Sequence, residues 1–220
     1  MPHVIPAINA PDFETVEAQV ALAHQFLPPG GWVHIDVTDG EFSPHLTWNN
    51  PAELTRLKAN ADFSHLNFEI HLMVHDPELV AGHWIKAGAS RLIVHAEAIH
   101  EADIFLDECE RANVEAMIAE NPETPAQKFS PYFGKFKYFQ ILAVKPGRAG
   151  QKFQPEVLEK IKFLRTNAPD AIIEVDGGIT PETARVCKEA GAHIFVAASY
   201  IFKAKEPKIA YQDLLKSTHH

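Results

Sequence analysis

Ile172-Ile173-Glu174-Val175-Asp176-Gly177-Gly178-Ile179-Thr180-Pro181 reads as a strand that stops in a glycine turn and passes straight into a helix. Isoleucine and valine favour extended backbone, and paired glycines allow the tight turn. Thr180 is a helix cap, and Pro181 sits in the first helical turn, where its missing N–H is not needed. Downstream, Gly191 stops the helix and Ile194–Ala197 forms another strand. Strand, helix and strand in that order make a crossover between parallel strands.

The same alternation runs outward to both ends of the 220-residue chain. The strands are expected at Val4–Ile8, Trp32–Val37, Phe68–Val74, Arg91–His95, Val114–Ala119, Tyr138–Val144, Ile172–Asp176 and Ile194–Ala197. Between them, Asp12 caps a helix whose Phe13, Val16, Val20, Ala23 and Leu27 recur at helical spacing until Pro28-Pro29-Gly30-Gly31 ends it. Further helix starts are Asn50-Pro51, Asp76-Pro77, Gln154-Pro155 and Thr180-Pro181, and Gly88 is a stop like Gly191. The weakest unit is the fifth, where three prolines interrupt residues 121–135. Eight strand–helix units in a chain too short for two comfortable domains predict one (β/α)8 TIM barrel over residues 1–218, with an open doubly wound sheet as the alternative. His219 and His220 read as the remnant of a tag.

Composition narrows the function classes. With 20 Lys+Arg against 29 Asp+Glu, the net charge of −9 argues against nucleic acid or an anionic membrane as partner. No apolar run approaches the roughly 18 residues that span a bilayer. Cys109 and Cys187 are too few for a disulfide framework or a thiolate metal site, and no secretory leader is evident, so a cytoplasmic protein is expected.

A parallel barrel gathers its active site at the C-terminal strand ends. On the second strand, alternation sets His34 and Asp36 on the face opposite Val33, Ile35 and Val37, so both polar side chains point inward. His71 and Met73 share a face of the third strand, and Asp176 ends the seventh. Two His and two Asp converge on one mouth. Each alone reads equally well as a hydrogen-bonded interior residue, but buried carboxylates beside imidazoles form a ligand set for a divalent metal, whether zinc, iron, manganese or cobalt. Of the other histidines, His95 at the end of the fourth strand is the one further pocket candidate; His3, His24, His45, His65, His75, His83, His100 and His193 read as surface or loop residues. Gly177-Gly178 after the seventh strand and Ala197-Ala198-Ser199 after the eighth are placed to offer backbone N–H groups to a phosphate, and Pro146-Gly147-Arg148-Ala149-Gly150 after the sixth suits a flexible lid.

Taken together, these segments resemble the ribulose-phosphate 3-epimerase family. The matching stretches are Ile5-Pro6-Ala7-Ile8 with Asp12-Phe13, His34-Ile35-Asp36-Val37-Thr38-Asp39-Gly40, His71-Leu72-Met73-Val74 with Asp76-Pro77-Glu78, and Val94-His95-Ala96-Glu97-Ala98. They continue through Asn121-Pro122-Glu123-Thr124-Pro125, Val144-Lys145-Pro146-Gly147, Gly150-Gln151-Lys152-Phe153 and Glu174-Val175-Asp176-Gly177-Gly178-Ile179. The resemblance implies a barrel of ribulose-phosphate-binding type and a homo-oligomer. The implied enzyme inverts C3 of a ketopentose 5-phosphate, D-ribulose 5-phosphate to D-xylulose 5-phosphate. It further implies that His34, Asp36, His71 and Asp176 hold a divalent metal, usually zinc, while Asp36 and Asp176 also serve as acid and base. Met73, Gly147, Arg148, Ala149, Gly150, Gly177, Gly178, Ala198 and Ser199 are then expected around the sugar phosphate.

The departures from the family pattern bear on the substrate. Ala7 stands where the family commonly has Ser, Thr38 and Leu142 stand where it has Met, and Ala149 and Ala198 replace glycines near the phosphate. They leave open another ketose phosphate such as allulose 6-phosphate, or a catalytically diverged paralogue that binds a metal or sugar phosphate. A decarboxylase or aldolase would need a strand-end lysine, for which Lys145 is the nearest candidate. Because the chain is acidic, capture of an anionic substrate must rest on local features, and Arg148 is either one of these or a solvated loop charge.

Overall fold

The computed structural model describes residues 4–219; His3 and His220, read from the sequence as a surface histidine and part of a tag remnant, lie outside them. Eight parallel strands close into a barrel in chain order, with β8 (Ile194–Ala197) returning to pair with β1 (Val4–Ile8). The other strands are β2 (Trp32–Thr38), β3 (Asn67–Met73), β4 (Arg91–His95), β5 (Glu115–Glu120), β6 (Tyr138–Leu142) and β7 (Ile172–Asp176). The helices are α1 (Phe13–His24), α2 (Pro51–Ala59), α3 (Pro77–Ala87), α4 (Ala102–Arg111), α5 (Val157–Asn167), α6 (Pro181–Ala190), α7 (Ser199–Phe202) and α8 (Pro207–His219). The fold is a (β/α)8 TIM barrel.

The helix starts follow from their caps. Asp12 accepts a hydrogen bond from Thr15 N, Asn50 from Ala52 N, and Thr180 forms a reciprocal capping box with Thr183. Asp76, expected to act likewise, makes no capping bond through its side chain, and α3 begins on Pro77, which has no N–H to satisfy. The helix expected from Gln154-Pro155 opens there as a tighter turn, with Val157 N donating to Gln154 O at 3.2 Å and Leu158 N to Pro155 O at 3.1 Å, and becomes α-helical at Val157. In the proline-rich fifth unit the crossover is a 3₁₀ segment, Ala126–Tyr132, anchored by fully buried Phe129 with its ring edge-on to Phe139.

Strand alternation divides the interior. Val33, Ile35 and Val37 join the apolar layer between sheet and helices. Inside the barrel, Ile5, Ala7, Ile93, Met117, Ala119, Ile172, Ile194 and Val196 form a smaller apolar cluster. The remaining interior volume holds polar groups that are at most 8% exposed: His34, Asp36, Glu69, His71, Arg91, His95, Gln140, Glu174 and Asp176. No helix among the described residues is long and apolar enough to cross a membrane.

Candidate active site

His34, Asp36, His71 and Asp176 come together at the C-terminal end of the barrel, each offering a ligand atom within 4.8 Å of the others. His34 Nε2 lies 3.2 Å from Asp36 Oδ1 and 4.0 Å from Asp176 Oδ2; His71 Nδ1 lies 3.1 Å and 3.6 Å from the same two oxygens. Ligands held about 2.1 Å from one ion stand about 3–4 Å from each other, so these separations suit a shared cation. Register explains the meeting, since Asp36 on β2 pairs directly with His71 on β3.

The partners of the outward nitrogens strengthen that fit. His34 Nδ1 donates to Glu69 Oε1 at 2.8 Å, which leaves the Nε2 lone pair facing two carboxylates unless a proton or cation intervenes. Burial lowers the His34 pKa, yet its hydrogen bonds to the Asp36 and Glu69 carboxylates and the nearby Asp176 charge lift it well above the ordinary value. His71 is raised likewise against burial by Asp176 and Asp36. Burial works to raise the Asp36 carboxyl, but His34 and His71 hold it far below the usual carboxylate range. This site attracts positive charge, and its two imidazoles and two carboxylates are the donor types that bind a divalent metal.

Several supporting residues had no role in the sequence reading. Glu69 is gripped from below by Arg91, whose Nη1 donates to Glu69 Oε2 at 2.6 Å. Arg91 also binds Glu115 through Nε and Nη2, and its guanidinium lies between the Trp32 and Tyr138 rings, 4.2 and 4.5 Å from their centroids. Burial favours neutral Glu69, but Arg91 and His34 keep its pKa below the ordinary value. Asn9 Nδ2 donates to Asp36 Oδ2 at 2.9 Å and to Gly147 O at 3.2 Å, tying the carboxylate to the loop after β6. Strand alternation carries a signal for Glu69, two residues before His71, but none for Asn9 beyond β1.

Above the four clustered residues opens a narrow cleft with about 40 Å³ of free space. Its lining includes Asp36, Asp176 and all nine residues expected around a sugar phosphate: Met73, Gly147, Arg148, Ala149, Gly150, Gly177, Gly178, Ala198 and Ser199. His34 and His71 lie beneath it, fully buried. Arg148 is exposed on the loop and its Nε donates to His45 Nδ1 at 3.2 Å. His45, read from the sequence as a bystander, therefore belongs to the rim. Gly178 is demanded by packing as much as by any ligand: at φ +66°, a Cβ there would stand 2.5 Å from Phe153 N. Lys145 also lines the cleft, and its Nζ pairs with exposed Glu123 at 3.2 Å.

Residues 3–202 match the ribulose-phosphate 3 epimerase family. The ribulose-phosphate 3-epimerase of Chlamydia muridarum is 41% identical over 177 residues, covering 78% of this chain and 76% of that one. That of Schizosaccharomyces pombe is 31% identical over 214 residues, covering 97% and 92%. Among solved structures, 3-hexulose-6-phosphate synthase from Salmonella typhimurium superposes with a TM-score of 0.70 at 14% identity, over 99% of this chain and 100% of that one, a likeness of fold alone. The protein is an isomerase of the epimerase type, and it belongs to the ribulose-phosphate 3-epimerase family.

Proposed function

We propose that the enzyme interconverts D-ribulose 5-phosphate and D-xylulose 5-phosphate by moving protons on and off C3. The observation that carries this reading is the pair of carboxylates, Asp36 on β2 and Asp176 on β7, at most 8% exposed yet lining the same cleft. β1 and β8 lie between their strands in the barrel, so the two acids approach a bound sugar from different sides.

A proton alpha to a carbonyl is weakly acidic, so its removal needs a base within reach and stabilisation of the charge that develops on oxygen. One aspartate takes the C3 proton, and the C–H electron pair passes into an enediolate. The other aspartate, protonated, returns a proton to the opposite face, so protons balance and the configuration inverts. His34, Asp36, His71 and Asp176 would hold a divalent ion, zinc being the first choice for this donor set with iron, manganese and cobalt as alternatives. When bound, that ion supplies a Lewis acid for the enediolate oxygens. Asn9 holds the second oxygen of Asp36, and Met73 and Leu142 give the reacting carbon an apolar wall. The phosphate is assigned to the opposite end of the cleft, along Gly177-Gly178 and Ala198-Ser199, with Arg148 at the rim.

The test is proton exchange in deuterated water. With one of the four metals, the protein should exchange C3–H of D-ribulose 5-phosphate and form D-xylulose 5-phosphate, read by NMR. Asp36→Asn and Asp176→Asn should each slow interconversion about 10²–10⁴-fold. Absence of exchange with every metal would overturn the proposal. Faster turnover of allulose 6-phosphate in the same assay would overturn the pentose assignment alone.

A further inference from the structure

His95 is fully buried on β4 and takes no part in the proton transfers above. Its Nε2 stands 2.8 Å from His71 Nε2. The ring centroids are 5.0 Å apart and the planes differ by 12°, which with the short N–N distance sets the rings edge to edge in nearly one plane. Two facing ring nitrogens need one proton between them, and the partner of the far nitrogen decides who owns it.

That partner is Glu97, whose Oε2 lies 3.3 Å from His95 Nδ1. The other Glu97 oxygen accepts from Asn121 N at 2.9 Å and from the Thr124 hydroxyl. Burial works to raise the Glu97 carboxyl, but His95, Thr124 and Asn121 hold it at about 2, so it is an acceptor only. His95 Nδ1 must then be the donor, and His95 Nε2 presents a lone pair. His71 Nε2–H donates to that lone pair, which leaves His71 Nδ1 directed at Asp36 and Asp176.

We propose that His95 and Glu97 are positioning residues that fix His71 in the tautomer and ring orientation that offer Nδ1 to a cation. The inference rests on the reading of His34, Asp36, His71 and Asp176 as cation ligands. It gives the two imidazoles parallel supports: His34 leans on Glu69 directly, and His71 reaches Glu97 through a second histidine. Neither His95 nor Glu97 touches substrate on this proposal.

The experiment titrates Mn(II) into the metal-stripped protein against a chelating dye and records the thermal midpoint of each metal-free variant. His95→Phe keeps a ring but cannot accept a hydrogen bond, and His95→Gln keeps an acceptor. Removing the outer support of a metal-bound histidine typically weakens binding about 10–100-fold, so His95→Phe should lose that much while His95→Gln stays within about threefold. Glu97→Gln, whose side chain is partly exposed, should weaken Mn(II) binding several-fold and covers the case in which His95→Phe does not fold. Unchanged affinity in folded His95→Phe or in Glu97→Gln overturns the proposal, as does His95→Gln falling as far as His95→Phe. If wild type binds no Mn(II), or Asp176→Asn binds it equally well, the four-ligand reading fails and the relay with it. If wild type binds and only the His95 and Glu97 variants are indifferent, the relay alone is overturned.

Discussion

Arg91→Met tests the buried charge network beneath the site. The Arg91 side chain is 2% exposed and its guanidinium holds Glu69, itself fully buried, at 2.6 Å. Removing one member of a buried ion pair costs about 3–5 kcal/mol because the stranded charge keeps its desolvation penalty. The Glu115 side chain is 38% exposed, so water compensates it and its share is about 1 kcal/mol or less. Loss of the contacts with Trp32 and Tyr138 adds about 1–2 kcal/mol, partly returned by methionine sulfur against the same rings. The expected loss is about 4 kcal/mol, a large fraction of a typical stability of about 5–15 kcal/mol.

Urea unfolding followed by far-ultraviolet circular dichroism, with EDTA present, measures the change without any contribution from metal binding. Adding Glu69→Gln to Arg91→Met removes the stranded charge, so the double variant should be about 2 kcal/mol more stable than Arg91→Met alone. The reasoning is refuted if Arg91→Met costs less than about 1 kcal/mol, or if the double variant is no more stable than the single one.

At Gly178, alanine adds strain of about 1–2 kcal/mol from the positive φ and an overlap with Phe153 backbone worth about 1–3 kcal/mol. Gly178→Ala should therefore lower the thermal midpoint by about 4–20 °C, and a wild-type midpoint would sink the steric argument. Glu120 is fully buried with Oε1 unpartnered, and burial pushes its carboxyl up to about 8 although Lys160 opposes the shift. The folded state thus holds a proton that the unfolded chain releases above about 4.5, so this stabilisation is complete below that pH and lost as pH rises toward 8. Relative to Glu120→Gln, wild type should lose up to about 1.4 kcal/mol per pH unit across that window; parallel stability–pH profiles for the two would contradict it.

The four-residue cluster was legible in the sequence because it needs only strand direction and alternation: His34 and Asp36 two apart, His71 and Met73 two apart, and Asp176 before paired glycines. What held those residues was not legible, because it depends on register between strands. Glu69 pairs with His34 on one side and Arg91 on the other, and Arg91 in turn pairs with Glu115. No spacing in the chain reports that these charges lie side by side. α5 starts two residues beyond the expected Pro155 because its first turn closes with i+3 bonds, Val157 N to Gln154 O and Leu158 N to Pro155 O. The fifth crossover was readable as weak but not as 3₁₀, since its one firm anchor, Phe129 on Phe139, is a tertiary contact.

Register also shows why an arginine sits inside this barrel. Among the described residues, two groups of side chains have the spacing to hold a cation, and they share His34: one is the four-residue set at the mouth, the other His34, Glu69 and Glu174. Arg91 fills the second, with Nη1 2.6 Å from Glu69 and 3.7 Å from Glu174. A buried ion pair adds little to stability compared with well-packed apolar residues, so stability alone does not account for it. Its effect on His34 does. Because the guanidinium keeps Glu69 ionised, Glu69 can only accept, His34 Nδ1 must donate, and Nε2 is left facing the mouth. The covalently attached cation below thus fixes the tautomer on which the exchangeable cation proposed above depends. Through His34, the interior of the barrel and the chemistry at its rim form one hydrogen-bonded system.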